Sequence, residues 1–235
     1  MTPEPAFRYS LVIPAYNEEA RITPLLDSIG EFDGELIVVC DGTDRTAEIV
    51  RQAAARRTGL EIRCLEFGHR LGKGGGVRAG LSAARAPLVG YIDADGSTSI
   101  REILRLFPML VSADAAIGSR WVPGSSLTVR QGWMRRFQSR GFNLIMRTLF
   151  GLPFHDTQCG AKVFRKTAID AVLPAMISQG FEFDVELLWR LRSGGYTILE
   201  IPIEWKNKGD SRVKKRDMIG MLSGLIRVRF HRGCA

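Results

Sequence analysis

The stretch Leu88-Val-Gly-Tyr-Ile-Asp-Ala-Asp-Gly96 joins a short apolar run to two aspartates and a glycine. A short apolar run that stops at turn residues predicts a buried strand, and both aspartates then follow the end of that strand. Three similar runs precede it, over residues 9–14, 35–40 and 60–65. Segments with helical spacing of their apolar residues separate the four runs, over residues 20–29, 43–57 and 77–86.

This alternation of strands and helices predicts an α/β fold with a mostly parallel sheet, flanked by helices and joined by right-handed crossovers. In such sheets, ligands bind beyond the carboxyl ends of the strands. The loops that leave those ends are all rich in polar, acidic or glycine residues, over 14–19, 40–46, 68–76 and 93–97. The sequence therefore predicts one site where these loops meet.

Composition sets the class of protein. The chain has 235 residues, of which 45% are hydrophobic and 25% charged, which is typical of a folded globular protein and excludes a disordered one. We expect one α/β domain over residues 1–205 and a basic segment over residues 206–235. The four cysteines form no Cys-x-x-Cys pair, which argues against a zinc ribbon or a disulfide framework and favours a reducing compartment.

The sequence also bears on membranes. No apolar run approaches the roughly 18 residues that span a bilayer. The first residues lack the apolar core of a signal peptide. We therefore expect neither an integral membrane protein nor a secreted one.

Positive charge is concentrated in two regions. The net charge is +8, yet residues 206–235 alone carry +7 and residues 120–155 carry +6 with no acid. Within them, residues 132–150 and 217–230 combine apolar stripes with basic residues, which predicts two basic amphipathic helices. Such helices lie in membrane interfaces, although a stripe can equally pack on a core and a basic surface can simply be solvated. We favour membrane contact because two such segments coexist.

Asp93 and Asp95 supply two carboxylates at a predicted strand end. Mg²⁺ or Mn²⁺ binds through a few carboxylates and completes its shell with water and substrate phosphates. A bound dication would also offset the repulsion between the two acids. The alternative is a helix cap or an Asx turn. Their position at a strand end favours the metal.

The glycine-rich run at residues 72–76 is predicted as a loop whose backbone approaches a phosphate, with Lys73 as a point charge. The alternative is a flexible turn that caps the next helix. Its spacing does not match a Walker A loop.

Acids also follow the first two strands. Asp41 is a candidate to bond a nucleobase or ribose, while Thr43 or Asp44 is predicted to cap the helix that follows. Glu18 is a candidate for the ribose hydroxyls, or an acid in the first turn of a helix.

Two polar clusters lie in the second half of the chain, at residues 156–160 and 181–188. If the second cluster is helical, Glu182 and Glu186 share a face and Asp184 lies off it. Acids among Phe and Leu can have perturbed pKa values and act as bases, or can simply begin an amphipathic helix. His155, beside Asp156, is a minor acid–base candidate.

Taken in order, these motifs resemble those of family 2 glycosyltransferases with the GT-A fold, and within them the polyprenyl-phosphate hexosyltransferases that transfer glucose or mannose to dolichyl phosphate. The resemblance covers roughly residues 9–205. It is carried by seven motifs in register: Ile13-Pro-Ala-Tyr-Asn-Glu18, Asp41-Gly-Thr-Asp44, Gly72-Lys-Gly-Gly75, Asp93-Ala-Asp95, Gly118-Ser-Arg120, Asp156-Thr-Gln-Cys-Gly160 and Phe183-Asp-Val-Glu-Leu-Leu188.

The resemblance implies roles for particular residues. The nucleoside of a sugar nucleotide would be held by Pro14, Tyr16, Glu18 and Asp41. Lys73 and Asp93 would lie near its diphosphate and ribose. Asp95 would bind Mg²⁺ or Mn²⁺, with Asp93 assisting. A phosphate of the donor or acceptor would meet Arg120, and the sugar and acceptor pocket would be lined by Gln158 and Asp184.

The resemblance further implies an inverting, metal-dependent transfer of a hexose from a UDP-glucose-type or GDP-mannose-type donor to a polyprenyl or dolichyl phosphate. The partners would be the donor, the lipid acceptor and either a membrane surface or a membrane-embedded subunit, with the enzyme peripheral on a cytoplasmic face. The alternatives are a family 2 enzyme that acts on a soluble sugar or protein and, ranked lower, a non-enzymatic binder of nucleic acid or membranes. The family often has two aspartates after the second strand, where this chain has Cys40-Asp41.

Overall fold

The computed structural model describes residues 7–30, 32–127, 147–206 and 215–230. Within these ranges the strands are β1 (Tyr9–Ala15), β2 (Gly34–Cys40), β3 (Glu61–Glu66), β4 (Leu88–Ile92), β5 (Ala115–Ser119), β6 (Ser126–Leu127), β7 (Ala161–Arg165), β8 (Ile198–Pro202) and β9 (Glu204–Trp205). The α-helices that have full bounds are α1 (Glu19–Asp27), α2 (Thr46–Arg56), α3 (Gly72–Ala83), α4 (Ile100–Leu106), α5 (Lys166–Val172), α6 (Phe183–Ser193) and α7 (Lys215–Phe230).

A seven-stranded sheet in the order β3-β2-β1-β4-β7-β5-β8 forms the centre of the molecule. Strands β1 to β4 pair in parallel, which confirms the predicted α/β sheet. Strand β7 lies between β4 and β5 and is antiparallel to both. Because β7 runs the other way, its first residues lie at the edge where the parallel strands end.

Helices cover both faces of the sheet. Strand β2 is buried along its whole length, as expected for a strand covered on both sides. Alternate residues of β1 face opposite layers: Leu11 and Ile13 pack with α1 and α2, whereas Val12 packs with α3 and α6. The predicted strands over the first half are confirmed to within one residue at each end.

The glycine-rich run is helical, so the prediction of a loop over residues 68–76 was wrong over residues 72–76. Helix α3 begins at Gly72. A Cβ on Gly74 would lie 2.6 Å from the Cβ of Phe183, and one on Gly80 would lie 2.2 Å from a methyl carbon of Val12. These glycines let α3 pack closely on α6 and β1, and this tertiary contact outweighs the low helix propensity of glycine.

Helix α2 begins later than predicted. It starts at Thr46, and Arg45 precedes it, so Thr43 is not the cap. The Thr43 backbone N–H donates to Asn17 Oδ1 of the neighbouring loop. Asp44 Oδ1 nevertheless accepts the Thr46 N–H, at 3.0 Å, as a capping aspartate would.

The two basic amphipathic segments fare differently. Most of the predicted helix over residues 132–150 lies outside the described residues, and residues 147–150 are helical. The second segment is helical as predicted, since α7 covers residues 217–230. Its buried residues Leu225 and Val228 pack on a core cluster with Phe150, while Ile226 and Phe230 are exposed. Among the described helices, none is both long and apolar enough to cross a bilayer.

Candidate active site

The loops that follow β1 and β2 bond directly to each other. Asn17, at a φ of 53°, accepts the Thr43 N–H on its Oδ1 at 2.8 Å. Asp44 Oδ2 accepts the Glu19 N–H at 3.0 Å. A Cβ on Gly42 would lie 2.3 Å from Asn17 Oδ1, so a side chain there would break the contact. The two loops therefore form one rim at the carboxyl edge of the sheet.

Both acids predicted to hold a nucleoside lie in this rim and are largely buried. Asp41 Oδ2 accepts the Leu71 N–H at 2.8 Å and so ties the end of β2 to the segment that leads into α3. Glu18 forms a two-bond ion pair with Arg21, at 2.6 and 2.9 Å. The structure therefore gives both acids protein partners at the predicted edge.

Tyr16 and Pro14 lie at the same edge. The Tyr16 ring is 4.2 Å from the Arg70 guanidinium carbon, which is a cation–π contact. Pro14, next to the last residue of β1, faces Gly76 of α3. The four residues predicted for the nucleoside thus all lie at or just beyond the carboxyl ends of β1 and β2.

Lys73 connects two acids from distant parts of the chain. Its ammonium lies 3.1 Å from Asp93 Oδ1 and 3.0 Å from Asp184 Oδ2. The Asp184 side chain is 1% exposed, whereas that of Asp93 is 36% exposed. The structure therefore brings together three of the predicted site residues, with Lys73 between a buried acid and an accessible one.

Lys162 and Tyr91 complete this cluster, and neither is among the residues predicted from the sequence. The Lys162 ammonium donates to Asp184 Oδ1 and to the Cys159 carbonyl. The Tyr91 hydroxyl donates to the same oxygen of Asp184. Lys162 is the second residue of β7, where a lysine within the run Ala161-Lys-Val-Phe-Arg165 was the available signal. A charged residue in an otherwise buried strand needs a partner.

The two lysines decide the protonation state of Asp184. Burial opposes its ionisation, but Lys162 and Lys73 outweigh burial and hold the pKa of Asp184 at about 2. The pKa of Lys73 is raised, because Asp184 and Asp93 outweigh the effect of its own burial. Asp184 and Lys73 are therefore both ionised near neutral pH.

The two aspartates after β4 present hard oxygen ligands to the site. Burial and the charges of Asp95 and Asp184 raise the pKa of Asp93, against the opposing effect of Lys73. Asp95 Oδ1 accepts the Ser97 N–H at 2.8 Å. Within the described ranges, no group of three or more His, Cys, Asp and Glu side chains is arranged to hold a metal. Two carboxylates fit an Mg²⁺ or Mn²⁺ ion whose remaining ligands are phosphate and water.

Arg120 is held by Asp156. Its Nε and Nη2 donate to the two carboxylate oxygens at 2.7 and 2.9 Å. Burial opposes ionisation of Asp156, but Arg120 outweighs it and lowers the pKa of Asp156. Glu200 of β8 accepts the backbone N–H groups of both Asp156 and His155. Asp156 thus fixes Arg120 just after β5, and Glu200 in turn holds the backbone of Asp156.

The other candidates of the second half separate by role. Gln158 is half-buried between Asp156 and β7. Glu186 is fully buried and accepts the backbone N–H groups of Ile177 and Ser178, so it holds a loop. Glu182 precedes α6 and accepts the Gly180 N–H. Of the acids in this segment, Asp184 is the one that contacts the cluster.

The Glycosyl transferase family 2 model matches residues 10–173 of the chain. This range contains the loops after β1, β2 and β4 and most of the cluster. The chain belongs to this family and is a glycosyltransferase.

Named relatives cover nearly the whole chain. It is 35% identical to a dolichyl-phosphate beta-glucosyltransferase of Trichomonas vaginalis, over 94% of this chain and 71% of that protein. It is 30% identical to the polyprenol monophosphomannose synthase of Mycolicibacterium smegmatis, over 88% of this chain and 80% of that protein.

Solved structures share the fold. A glucosyl-3-phosphoglycerate synthase from Mycobacterium tuberculosis, crystallised with Mn²⁺, uridine diphosphate and phosphoglyceric acid, matches with a TM-score of 0.69 at 19% identity, over 95% of this chain and 79% of that one. A mannosyl-3-phosphoglycerate synthase from Rubrobacter xylanophilus matches with a TM-score of 0.67, also at 19% identity, over 96% of this chain and 74% of that one. These matches confirm the predicted nucleotide-sugar transferase fold.

Proposed function

We propose that this glycosyltransferase moves a hexose from a UDP-glucose-type or GDP-mannose-type donor to a polyprenyl phosphate, with inversion and with Mg²⁺ or Mn²⁺. The observation that carries the proposal is the grouping of Lys73, Asp93 and Asp95 at the carboxyl edge of the sheet, beside Asp184. The relatives named for dolichyl-phosphate and polyprenol substrates support the acceptor.

The donor would lie across the rim formed by the loops after β1 and β2. Its nucleoside would contact Pro14, Tyr16, Glu18 and Asp41, and the Lys73 ammonium would face its diphosphate. Asp95, with Asp93, would hold the dication, which when bound neutralises charge on the leaving diphosphate. The partly exposed Asp93 side chain is accessible for this role.

The acceptor phosphate needs orientation more than activation. A phosphate monoester is largely ionised near neutral pH, since its second pKa is about 6. Its oxygen would form the bond to the anomeric carbon as the bond from that carbon to the diphosphate breaks, and no proton has to leave. Arg120 would meet the phosphate and Gln158 would line the pocket, which the buried Asp184 would border through Lys73. Positioning and charge neutralisation would then supply most of the rate.

Calorimetric titration with UDP-glucose and with GDP-mannose, each with Mn²⁺ or with EDTA, tests the donor and the metal. We expect one donor to bind in the presence of Mn²⁺ and Asp95→Ala to abolish that binding. Asp114→Ala is the matched control, because Asp114 also accepts a backbone N–H but lies at the other end of the sheet. Unchanged binding by Asp95→Ala would remove Asp95 from the metal site.

We further propose that α7 rests on an anionic membrane surface, on the cytoplasmic face, where the lipid acceptor would be reached. Its outward face carries Ile226 and Phe230, which are 47% and 75% exposed, next to the exposed Arg227 and Arg229. Exposed apolar residues flanked by arginines suit the interface of an anionic leaflet.

Flotation with liposomes of neutral or anionic lipid tests this placement. We expect binding to anionic liposomes that falls in the double variant Ile226→Ser with Phe230→Ser. Val111→Ser is the control, because Val111, at 87% exposed, is more exposed than either residue but lies outside α7. A wild-type protein that stays in the soluble fraction would instead favour a soluble sugar or protein as acceptor.

A further inference from the structure

Asp184 is surrounded by donors on both of its carboxylate oxygens. Oδ1 accepts from Lys162 and from the Tyr91 hydroxyl, and Oδ2 accepts from Lys73. The Asp184 side chain is 1% exposed. An acid that is buried and already bonded by three protein donors is poorly placed to take a proton from a substrate.

The two lysines on Asp184 lie in different surroundings. The Lys162 side chain is fully buried, and its other hydrogen bond goes to the Cys159 carbonyl. The Lys73 side chain is 13% exposed, and its other partner is the accessible Asp93. A buried ammonium stays with its counterion because separating the pair would leave an uncompensated charge. Lys73 is therefore the partner that can change what it contacts.

The positions of the three residues in the fold explain why the two lysines differ in exposure. Lys162 projects from β7, which lies in the middle of the sheet between β4 and β5. Lys73 projects from the first turn of α3, at the edge where the parallel strands end. Asp184, in the first turn of α6, lies between a side chain anchored in the sheet and one that borders the site.

We propose that Lys162 is a positioning residue: it holds Asp184 as a stationary anion, and Asp184 in turn keeps the Lys73 ammonium where the diphosphate of the donor would bind. The inference rests on the proposed function for the identity of that ligand. On this proposal, Asp184 anchors Lys73 and does not act as a general base. This agrees with an acceptor phosphate that has no proton to lose.

A charge-balanced double variant, Lys162→Met with Asp184→Asn, separates positioning from stability. Because both charges leave together, no buried charge is stranded, and we expect a melting temperature close to that of the wild type. Lys73 would lose its fixed anchor, so we expect the dissociation constant of the donor with Mn²⁺ to rise about tenfold, the effect of losing one charge-assisted contact. If the Lys162–Asp184 pair served stability alone, the double variant would keep wild-type donor affinity together with its near-wild-type melting temperature.

Tyr91→Phe is the second variant, for the case in which the double variant does not fold. It removes the other donor to Asp184 Oδ1 without changing any charge. We expect a several-fold rise in the donor dissociation constant and in KM. Glu35→Gln, at the opposite end of the sheet, is the control and should bind donor as the wild type does.

The probes are UDP-glucose and GDP-mannose with Mn²⁺. Wild-type donor affinity in a folded double variant would overturn the positioning role of the Lys162–Asp184 pair and leave the proposed function standing. If the double variant does not fold, wild-type donor affinity in Tyr91→Phe overturns it instead. A wild-type protein that binds neither donor would overturn the proposed function and this inference with it.

Discussion

Two buried carboxylates lie at opposite ends of the same sheet and are held differently. Glu35, at the amino end, accepts from Ser10, Arg63 and Arg85. Asp184, at the carboxyl end, accepts from Lys162, Tyr91 and Lys73. In both cases burial alone would raise the pKa, and the basic partners outweigh it and lower the pKa.

The two carboxylates differ in what else their basic partners contact. Arg63 and Arg85 bond to groups at the amino end, such as the Ala83 carbonyl and Glu61, and both are partly exposed there. Lys73 instead bonds to Asp93, which borders the predicted site. A buried, fully bonded acid is therefore not in itself a sign of function. The sign is a donor that this acid shares with an accessible acid at the edge where ligands bind.

Asp184→Asn should give the largest effect. It leaves Lys162 buried without a counterion, and breaking a buried pair typically costs about 3–5 kcal/mol of unfolding free energy. Denaturant unfolding measures this cost, and calorimetry should show that donor binding is lost as well. A variant with wild-type stability would show that Lys162 finds another partner. The contrast drawn between Asp184 and Glu35 would then fail.

Glu35→Gln should give a smaller loss, confined to stability. Arg63 and Arg85 are 28% and 48% exposed, so water can solvate them, and we expect a loss of about 1–3 kcal/mol. Donor affinity should not change. A tenfold weaker donor affinity in this variant would mean that the two ends of the sheet are coupled.

Acid should weaken both ends together. A carboxylate whose pKa is lowered by folding stabilises the protein above its unfolded pKa, and this stabilisation is lost as the pH falls through the folded value. For Asp184 that window runs from the ordinary 3.8 down to about 2. Melting temperatures measured across this range should fall less steeply in the double variant Lys162→Met with Asp184→Asn than in the wild type. Equal slopes would mean that Asp184 does not contribute.

Gly160→Ala should give the smallest effect, confined to the carboxyl end. A Cβ at this position would lie 1.9 Å from Asp93 Oδ2, so the carboxylate would have to turn away. We expect weaker Mn²⁺-dependent donor binding with a stability change of at most about 1 kcal/mol. Gly30→Ala, where a Cβ meets nothing within 4 Å, is the control. Unchanged donor binding would show that Asp93 need not hold its present orientation.

Sequence patterns predicted which loops would meet at one edge of the sheet. The predicted loops after β1, β2 and β4 do lie at one edge, and Lys73 lies beside Asp93, as the resemblance implied. The glycine-rich run at residues 72–76 is helical rather than a loop, because Gly74 allows α3 to pack closely on Phe183. Its approach to a phosphate stays a prediction. The division at residue 205 and the individual roles of the site residues stay predictions.

Alternating apolar runs and helical spacing determined the sheet, its flanking helices and the edge that carries the loops, because these are local properties of the chain. Only the tertiary structure decided the partners of the charges. Asp184 and Lys73 are 111 residues apart, and Arg120 and Asp156 are 36 apart. Strand β7, which runs antiparallel in the centre of the sheet, brings Lys162 into contact with Asp184. Strand order depends on the packing of the whole chain, so no local pattern reveals which buried charges will meet.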